Sequence, residues 1–192
     1  MTPAPDALAR AADVLRRGGL VAFPTETFYG LGAAALDRSA VRRVFALKGR
    51  PASSPLLVLV DGLPMAERIA VIPATARPLI ARHWPGALTL VFAARDVVPE
   101  ELTASTGKVG VRFSSHPVAS GLVHALGDPV TAPSANLSGR APPTDAASVA
   151  QDFGGTIEVI LDAGETAGGL PSTVLDVTVD PPRVIRPGAV NV

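Results

Sequence analysis

The chain has 192 residues, 47% hydrophobic and 18% charged, and its 17 basic side chains balance 17 acidic ones. That length and apolar fraction suit one self-supporting domain, exclude a disordered chain, and leave no global positive field to gather nucleic acid. The absence of cysteine excludes disulfides, thiolate nucleophiles and Cys-ligated metal, and the lack of a ~18–20-residue apolar run or a secretory leader pattern leads us to expect the chain in the cytoplasm, off the membrane.

Residues 6–17 carry Leu8, Ala12 and Leu15 at helical spacing, and Gly18-Gly19 stops the helix. Leu20-Val21-Ala22-Phe23 reads as a short strand ended by Pro24, followed by the polar, glycine-rich stretch PTETFYGLG over 24–32. Asp37 is placed to cap a helix running to about Leu47, with Val41, Val44 and Phe45 inward. KGRPASSP over 48–55 reads as a basic loop, and the apolar run Leu56 to Val60 as a buried strand. Helices are expected over 63–70 and 75–84, then a strand over Ala87–Ala93 after the Trp84-Pro85-Gly86 turn. A strand over Val109–Phe113 and a helix over 117–126 follow. Val130-Thr131-Ala132 forms a short strand running into PSANLSG, and Thr144 caps a helix to about Phe153. Further strands lie near 157–161, 173–177 and 183–186. Alternating strands and helices, without a repeat or low-complexity linker, predict a single α/β domain over 1–192 with a mixed sheet and helices on its faces. The Pro/Gly-rich segments 139–143 and 164–171 read as mobile surface loops.

Gly30-Leu31-Gly32-Ala33-Ala34-Ala35 fits the G-x-G-x-x-A dinucleotide fingerprint. Six residues separate it from the strand, however, and the next helix starts near residue 38. The better reading is glycines that let two backbones approach closely. There is no Walker A loop, G-x-S-x-G elbow or HExxH spacing. His83, His116 and His124 are scattered and read as core or turn histidines, so no metal site built from protein ligands alone is expected.

Lys48-Gly49-Arg50-Pro51, if extended, points Lys48 and Arg50 to one side, as a point charge and a flat fork suited to a polyphosphate. The competing reading is a solvated basic loop in which Lys48 complements a helix C-terminus. With 15 Arg to 2 Lys, Lys48 and Lys108 also stand out by scarcity. Ser134 and Asn136 alternate at the C-terminal end of a strand, where ligands of α/β sheets gather, and they offer uncharged hydrogen bonds to phosphate, ribose or base. An Asx or Ser turn is the alternative there. PTETFY over 24–29 sets hydroxyls and a carboxylate beside glycines. Arg112, inside an apolar strand, must be paired or face a cavity, where it could bind an anionic group. Ser172-Thr173 follow a hinge-like Gly168-Gly169-Leu170-Pro171, and Arg186-Pro187-Gly188 lies near the C-terminus. The set has cations and hydroxyls but no nucleophile, which suits an enzyme that positions an anionic nucleotide and a small substrate.

Taken in order, PTETFYGLGAAA, KGRP with PLLVLV, HWPGALTLVF, VGVR with HP, APSANLSG, PSTVLDVT and VIRPGAV closely resemble the YrdC-like family in its bacterial short form, from about Leu20 to Val190. The resemblance implies a twisted mixed sheet flanked by helices around a basic cavity. It implies an L-threonylcarbamoyladenylate synthase, a nucleotidyltransferase converting L-threonine, bicarbonate and ATP to threonylcarbamoyl-AMP and pyrophosphate. A separate complex then transfers the threonylcarbamoyl group to the adenosine beside the anticodon of tRNA. Contact with that complex is expected to be transient, and tRNA binding weak or indirect. Mg²⁺ is expected as a cofactor held mainly through the ATP phosphates.

By position in these motifs, Lys48 and Arg50 match the catalytic pair. With Ser134 and Asn136 they match a Lys-x-Arg and Ser-x-Asn tetrad facing ATP. Ser172 and Arg186 match the nucleotide end of the cavity, Thr25 and Tyr29 the threonine side, and Arg112 an arginine near the threonine carboxylate. Leu59 stands where many relatives carry His, Ser114 where many have Pro, and Pro171 where an acidic residue is frequent. No additional C-terminal domain is expected after RPGAV, so closure over the site falls to the chain's own loops, such as 164–172, or to a partner. The alternative is a nucleotide- or RNA-binding relative on the same fold with weak or no synthase activity.

Overall fold

The apolar runs are drawn into two sheets whose junction carries the polar motifs. The computed structural model describes residues 5–192. In chain order the elements are α1 (Pro5–Arg16), β1 (Val21–Pro24), β2 (Tyr29–Gly32), α2 (Arg38–Lys48), β3 (Leu57–Leu59), α3 (Leu63–Ile69) and β4 (Ala70–Val71). A 3₁₀ turn at Ala74–Ala76 leads into α4 (Arg77–His83), β5 (Leu88–Ala94), α5 (Glu100–Thr103), β6 (Lys108–Arg112) and α6 (Pro117–Leu126). Then come β7 (Val130–Thr131), α7 (Ala146–Phe153), β8 (Val159–Ile160), β9 (Thr173–Asp176) and β10 (Arg183–Arg186). Among the described residues no helix is long and apolar enough to cross a membrane.

The seven-stranded sheet has the order β10-β9-β5-β6-β3-β7, with β4 paired to β5, and the three-stranded sheet has the order β2-β1-β8. The larger sheet is mixed: β3/β6 and β5/β9 are parallel, whereas β5/β6, β3/β7 and β9/β10 are antiparallel. A backbone ladder stitches the two sheets together, with Leu31 N donating to Pro133 O at 2.7 Å, Thr131 N to Ala33 O at 3.0 Å and Ala135 N to Tyr29 O at 2.8 Å. This ladder carries residues 25–29 to the side of residues 132–136.

Strand β2 forms within what the sequence shows only as a polar, glycine-rich stretch. Its glycines lie against the Phe23 ring, and a Cβ at Gly32 would sit 2.8 Å from that ring and 2.9 Å from Val130. They serve close backbone approach, not a pyrophosphate turn. The two-residue β4 and four-residue α5 are too short to show a period in sequence.

Helices α1 and α6 pack together, and Gly121 allows it, because a Cβ there would lie 2.9 Å from Leu8 Cδ1. Asp37 caps α2 as expected, accepting from Ser39 N at 2.8 Å and Ala40 N at 3.2 Å, an arrangement worth about 1 kcal/mol. The helix runs through Lys48 and ends at Gly49, whose φ of 58° is left-handed. Asp145, one residue after the expected Thr144, caps α7 by accepting from Ser148 N at 2.7 Å. The Thr144 carbonyl instead accepts from Thr166 N at 2.8 Å.

One face of the larger sheet buries Leu90, Phe92, Val109 and Val111 in the core. By strand alternation, Thr89, Val91, Lys108, Gly110, Arg112, Val174 and Asp176 turn to the other face, where they line a cavity.

Candidate active site

The cavity has a volume of about 670 Å³, within the range of small-molecule sites. Of the residues singled out from sequence, Thr25, Tyr29, Arg50, Arg112, Ser134, Ser172 and Arg186 line it, whereas Lys48 and Asn136 stand behind its wall. Lys108 and Arg183 add further cations, and Asp176 is the one carboxylate of the lining.

The Lys48 corner is built by a helix end. Because Lys48 closes α2 and Gly49 turns left-handed, residues 48–50 are not an extended segment with two prongs on one face; that expectation is corrected. Lys48 is buried, and its Nζ donates to the carbonyls of Ser134 at 2.5 Å and Asn136 at 2.6 Å. Its own carbonyl accepts from Ser138 N at 2.9 Å. The lysine thus clasps the loop that presents Ser134. Burial first, and Arg50 second, push the Lys48 ammonium down to about 8. Asn136 Nδ2 donates to the carbonyls of Leu137 and Arg140 at 2.9 and 2.8 Å, leaving a buried Oδ1 without a partner. Arg50 folds back on its own loop, donating to Ser54 O at 3.2 Å and Pro55 O at 3.1 Å.

Elsewhere in the lining, Arg112 is buried at the end of β6. Its Nη2 lies 2.7 Å from Glu26 Oε2, yet Nε and Nη2 have no aligned hydrogen-bond acceptor. The Ser114 hydroxyl donates to the same Glu26 oxygen. Burial raises the Glu26 carboxyl, but the Arg112 charge and the Ser114 hydrogen bond outweigh it and hold the group below its usual range. Arg186 grips Ser172, donating to its carbonyl at 2.8 Å and its hydroxyl at 3.1 Å, and that hydroxyl also meets Thr89 Oγ1 at 2.9 Å. Burial, and then the charges of Arg112 and Arg50, depress Arg186, as expected of guanidiniums sharing one cavity.

Two expected ligand contacts are occupied by the protein itself. Thr25 Oγ1 donates to Phe28 O at 2.7 Å and accepts from the amides of Thr27 and Phe28, so it organises a turn. The Tyr29 hydroxyl donates to Gly164 O at 2.7 Å. Together with Thr166 N on Thr144 O and Gly168 N on Thr27 O, it ties the 164–168 stretch, expected to be mobile, to the cavity wall. His116 is a helix cap, its Nδ1 accepting from Val118 N at 3.2 Å, in keeping with a turn histidine.

Several residues of the site were not assigned from sequence. Glu26 lies in the singled-out PTETFY segment, but nothing local names Arg112 as its partner. Thr89 sits in an apolar strand and carries no motif. Lys108 stood out by scarcity, and its Nζ meets Asp176 Oδ2 at 3.0 Å.

The Sua5/YciO/YrdC family model, described as "Telomere recombination", matches residues 13–188. The chain therefore belongs to the Sua5/YciO/YrdC family. A threonylcarbamoyl-AMP synthase of Pyrococcus abyssi is 50% identical over 179 residues, covering 93% of this chain and 53% of that protein. A threonylcarbamoyl-AMP synthase of Bacillus subtilis is 43% identical over 186 residues, covering 96% of this chain and 54% of that protein. The crystal structure of P. abyssi Sua5 complexed with L-threonine superposes with a TM-score of 0.95 at 47% identity, over 98% of this chain and 56% of that one. The chain spans about half the length of these relatives. The expected α/β fold, a mixed sheet flanked by helices, is borne out.

Proposed function

We propose that the chain is an L-threonylcarbamoyladenylate synthase, joining L-threonine, bicarbonate and ATP into threonylcarbamoyl-AMP, pyrophosphate and water. One observation carries the reading. Arg50, Arg112 and Arg186 line one cavity beside the hydroxyls of Ser134 and Ser172, and Arg112 keeps buried N–H groups free of aligned partners. Such a wall suits two anionic substrates that must be brought together, one with a carboxylate and one with a polyphosphate. The synthase names of the relatives and the L-threonine held by the P. abyssi protein support it.

In this reading Arg112 receives the threonine carboxylate. Arg50 and Arg186, with the Ser134 and Ser172 hydroxyls, hold the phosphates. Lys48 and Asn136 fix the Ser134 loop from behind, and the Lys48 charge adds to the field felt by ATP. The threonine amine condenses with bicarbonate, losing water. The resulting carbamate oxygen then bonds to the α-phosphorus as the bond to the pyrophosphate oxygen breaks. The side chains contribute orientation and charge, and none forms a covalent intermediate. Mg²⁺ belongs to the substrate, entering with ATP and supplying charge neutralisation on the phosphates. The donor set fits an ion that arrives with the nucleotide, because Asp176 is engaged by Lys108 and Thr178. Among the described residues no three His, Asp or Glu side chains gather as a metal site. The product passes to a tRNA-modifying complex in the cytoplasm, with direct tRNA contact weak.

The test is pyrophosphate release from ATP by purified protein with Mg²⁺ and bicarbonate, with and without L-threonine, using L-serine as the control. Release that depends on both threonine and bicarbonate is expected. No release while ATP still binds would overturn the reading and favour a nucleotide- or RNA-binding role, which filter binding of tRNA across a salt titration would then assess.

A further inference from the structure

We infer that Glu26 is a positioning residue that holds the Arg112 guanidinium at a carboxylate-binding station. The inference rests on the proposed synthase reading and adds a division of labour within the site. Arg112 lines the cavity and Glu26 does not, so the carboxylate acts from behind, through the arginine.

The arrangement is directional. The backbone at Arg112 is fixed, its carbonyl accepting from Val60 N at 3.0 Å. The side chain, in contrast, is long and rotamer-rich, and another force must hold it. Residues 112 and 114 both reach Glu26 Oε2 and so turn to one side. There Ser114 Oγ accepts from His116 N at 3.2 Å, which leaves its single hydrogen for Glu26 Oε2. That oxygen is also the one 2.7 Å from Arg112 Nη2. The other end of Glu26 is set by the Thr25 turn, in which Thr25 Oγ1 binds the amides of Thr27 and Phe28. Two rigid backbone segments, 86 residues apart from Glu26 to Arg112, thereby meet at one carboxylate oxygen.

Charge explains why such a device is needed. Arg50 and Arg186 share the cavity, and both attract the same phosphates that Arg112 would attract. Glu26 compensates the Arg112 charge locally. The guanidinium then offers fixed N–H groups to a carboxylate, while its charge is still felt by Arg186. Arg112 Nε, buried and without an aligned acceptor, is a group a bound carboxylate would satisfy.

The experiment measures L-threonine binding by calorimetry without ATP, and steady-state KM for both substrates, on the full chain and on Glu26→Gln, Glu26→Asp and Ser114→Ala. Glu26→Gln is expected to weaken threonine binding and raise its KM about tenfold, the loss of one charge-assisted contact, with KM for ATP within about twofold. Ser114→Ala is expected to shift threonine KM in the same direction by a smaller factor. Glu26→Asp, which keeps the charge, is expected to recover part of the loss. A lower melting temperature with both KM values unchanged would reduce Glu26 to a structural part and overturn the inference, as would equal rises in both KM values. Should Glu26→Gln fail to fold, unchanged threonine KM in Ser114→Ala would overturn it as well. Wild-type protein that neither binds threonine nor turns over would overturn the synthase reading itself. Wild-type binding matched by Glu26→Gln would overturn only the role given to Glu26.

Discussion

Lys48 and Arg112 are both buried cations beside one cavity, yet neutral carbonyls hold the first and a carboxylate holds the second. The carbonyls of Ser134 and Asn136 orient the ammonium without cancelling its charge, and burial pushes its pKa down to about 8. That buried charge is costly, and on the proposed reading a bound polyphosphate would relieve the cost. Arg112 is ion-paired with Glu26, which fixes its direction. On the proposed reading, the Lys48 corner is primed electrostatically and the Arg112 corner geometrically.

The largest expected effect attacks the first corner. Lys48→Met strips two carbonyls of their donor and removes a buried charge. Turnover, followed by pyrophosphate release, should fall by about a hundredfold or more, with threonine affinity within about twofold. An equal loss of threonine affinity would break the distinction between the corners.

Arg112→Met should do the converse, raising threonine KM about ten- to a hundredfold. It also strands Glu26 as a buried, unpaired carboxylate, at a cost of about 3 kcal/mol, or roughly 6–12 °C in Tm. Adding Glu26→Gln to that variant should return part of the lost Tm in a thermal melt without restoring threonine KM, because the two positions are coupled.

The pH profile separates the corners again. Lys48 is charged below about 8 and neutral above it, so kcat/KM for ATP should decline through an alkaline limb near that value. Glu26 behaves oppositely. Its carboxyl is held below the usual 4.5, so the folded state favours the ionised form. The resulting stability is complete above the unfolded value and is lost as the pH falls through the lowered one. Glu26→Gln should remove that part of the acid destabilisation in melts taken below pH 4.5.

The smallest effect is expected on the outer rim of the Lys48 corner. Arg140 pairs with Asp152 at 2.5 Å, but its side chain is 65% exposed. Arg140→Ala should cost no more than about 1 kcal/mol in a denaturant melt and leave both KM values alone.

Much of this organisation is legible in the sequence. Continuous apolar runs such as Leu56 to Val60 mark strands because burial on both faces leaves no alternation to read. Asp37 marks a helix start because its carboxylate can take amides no helix satisfies internally. The motifs around Arg50, Ser134, Ser172 and Arg186 converge as their order implies. What sequence hides is long-range. Strand β2 has a loop-like composition and becomes a strand because Gly30 and Gly32 admit the Phe23 ring and pair with residues 129–135. The two-pronged reading of Lys48 and Arg50 fails at one dihedral, the left-handed Gly49, which no spacing rule reveals. The Glu26–Arg112 pair is made only when β6 comes beside the Thr25 turn, and neither residue's neighbours in sequence announce it.

The most direct test of the central claim follows the carbon atom that the protein is proposed to install. Purified protein is incubated with Mg-ATP, L-threonine and isotopically labelled bicarbonate, and the nucleotide products are separated and weighed by mass spectrometry. The account predicts an adenylate carrying both threonine and the labelled carbon, formed in step with pyrophosphate. An ATP-cleaving reaction whose adenylate lacks the label, or unchanged ATP beside intact nucleotide binding, would contradict it.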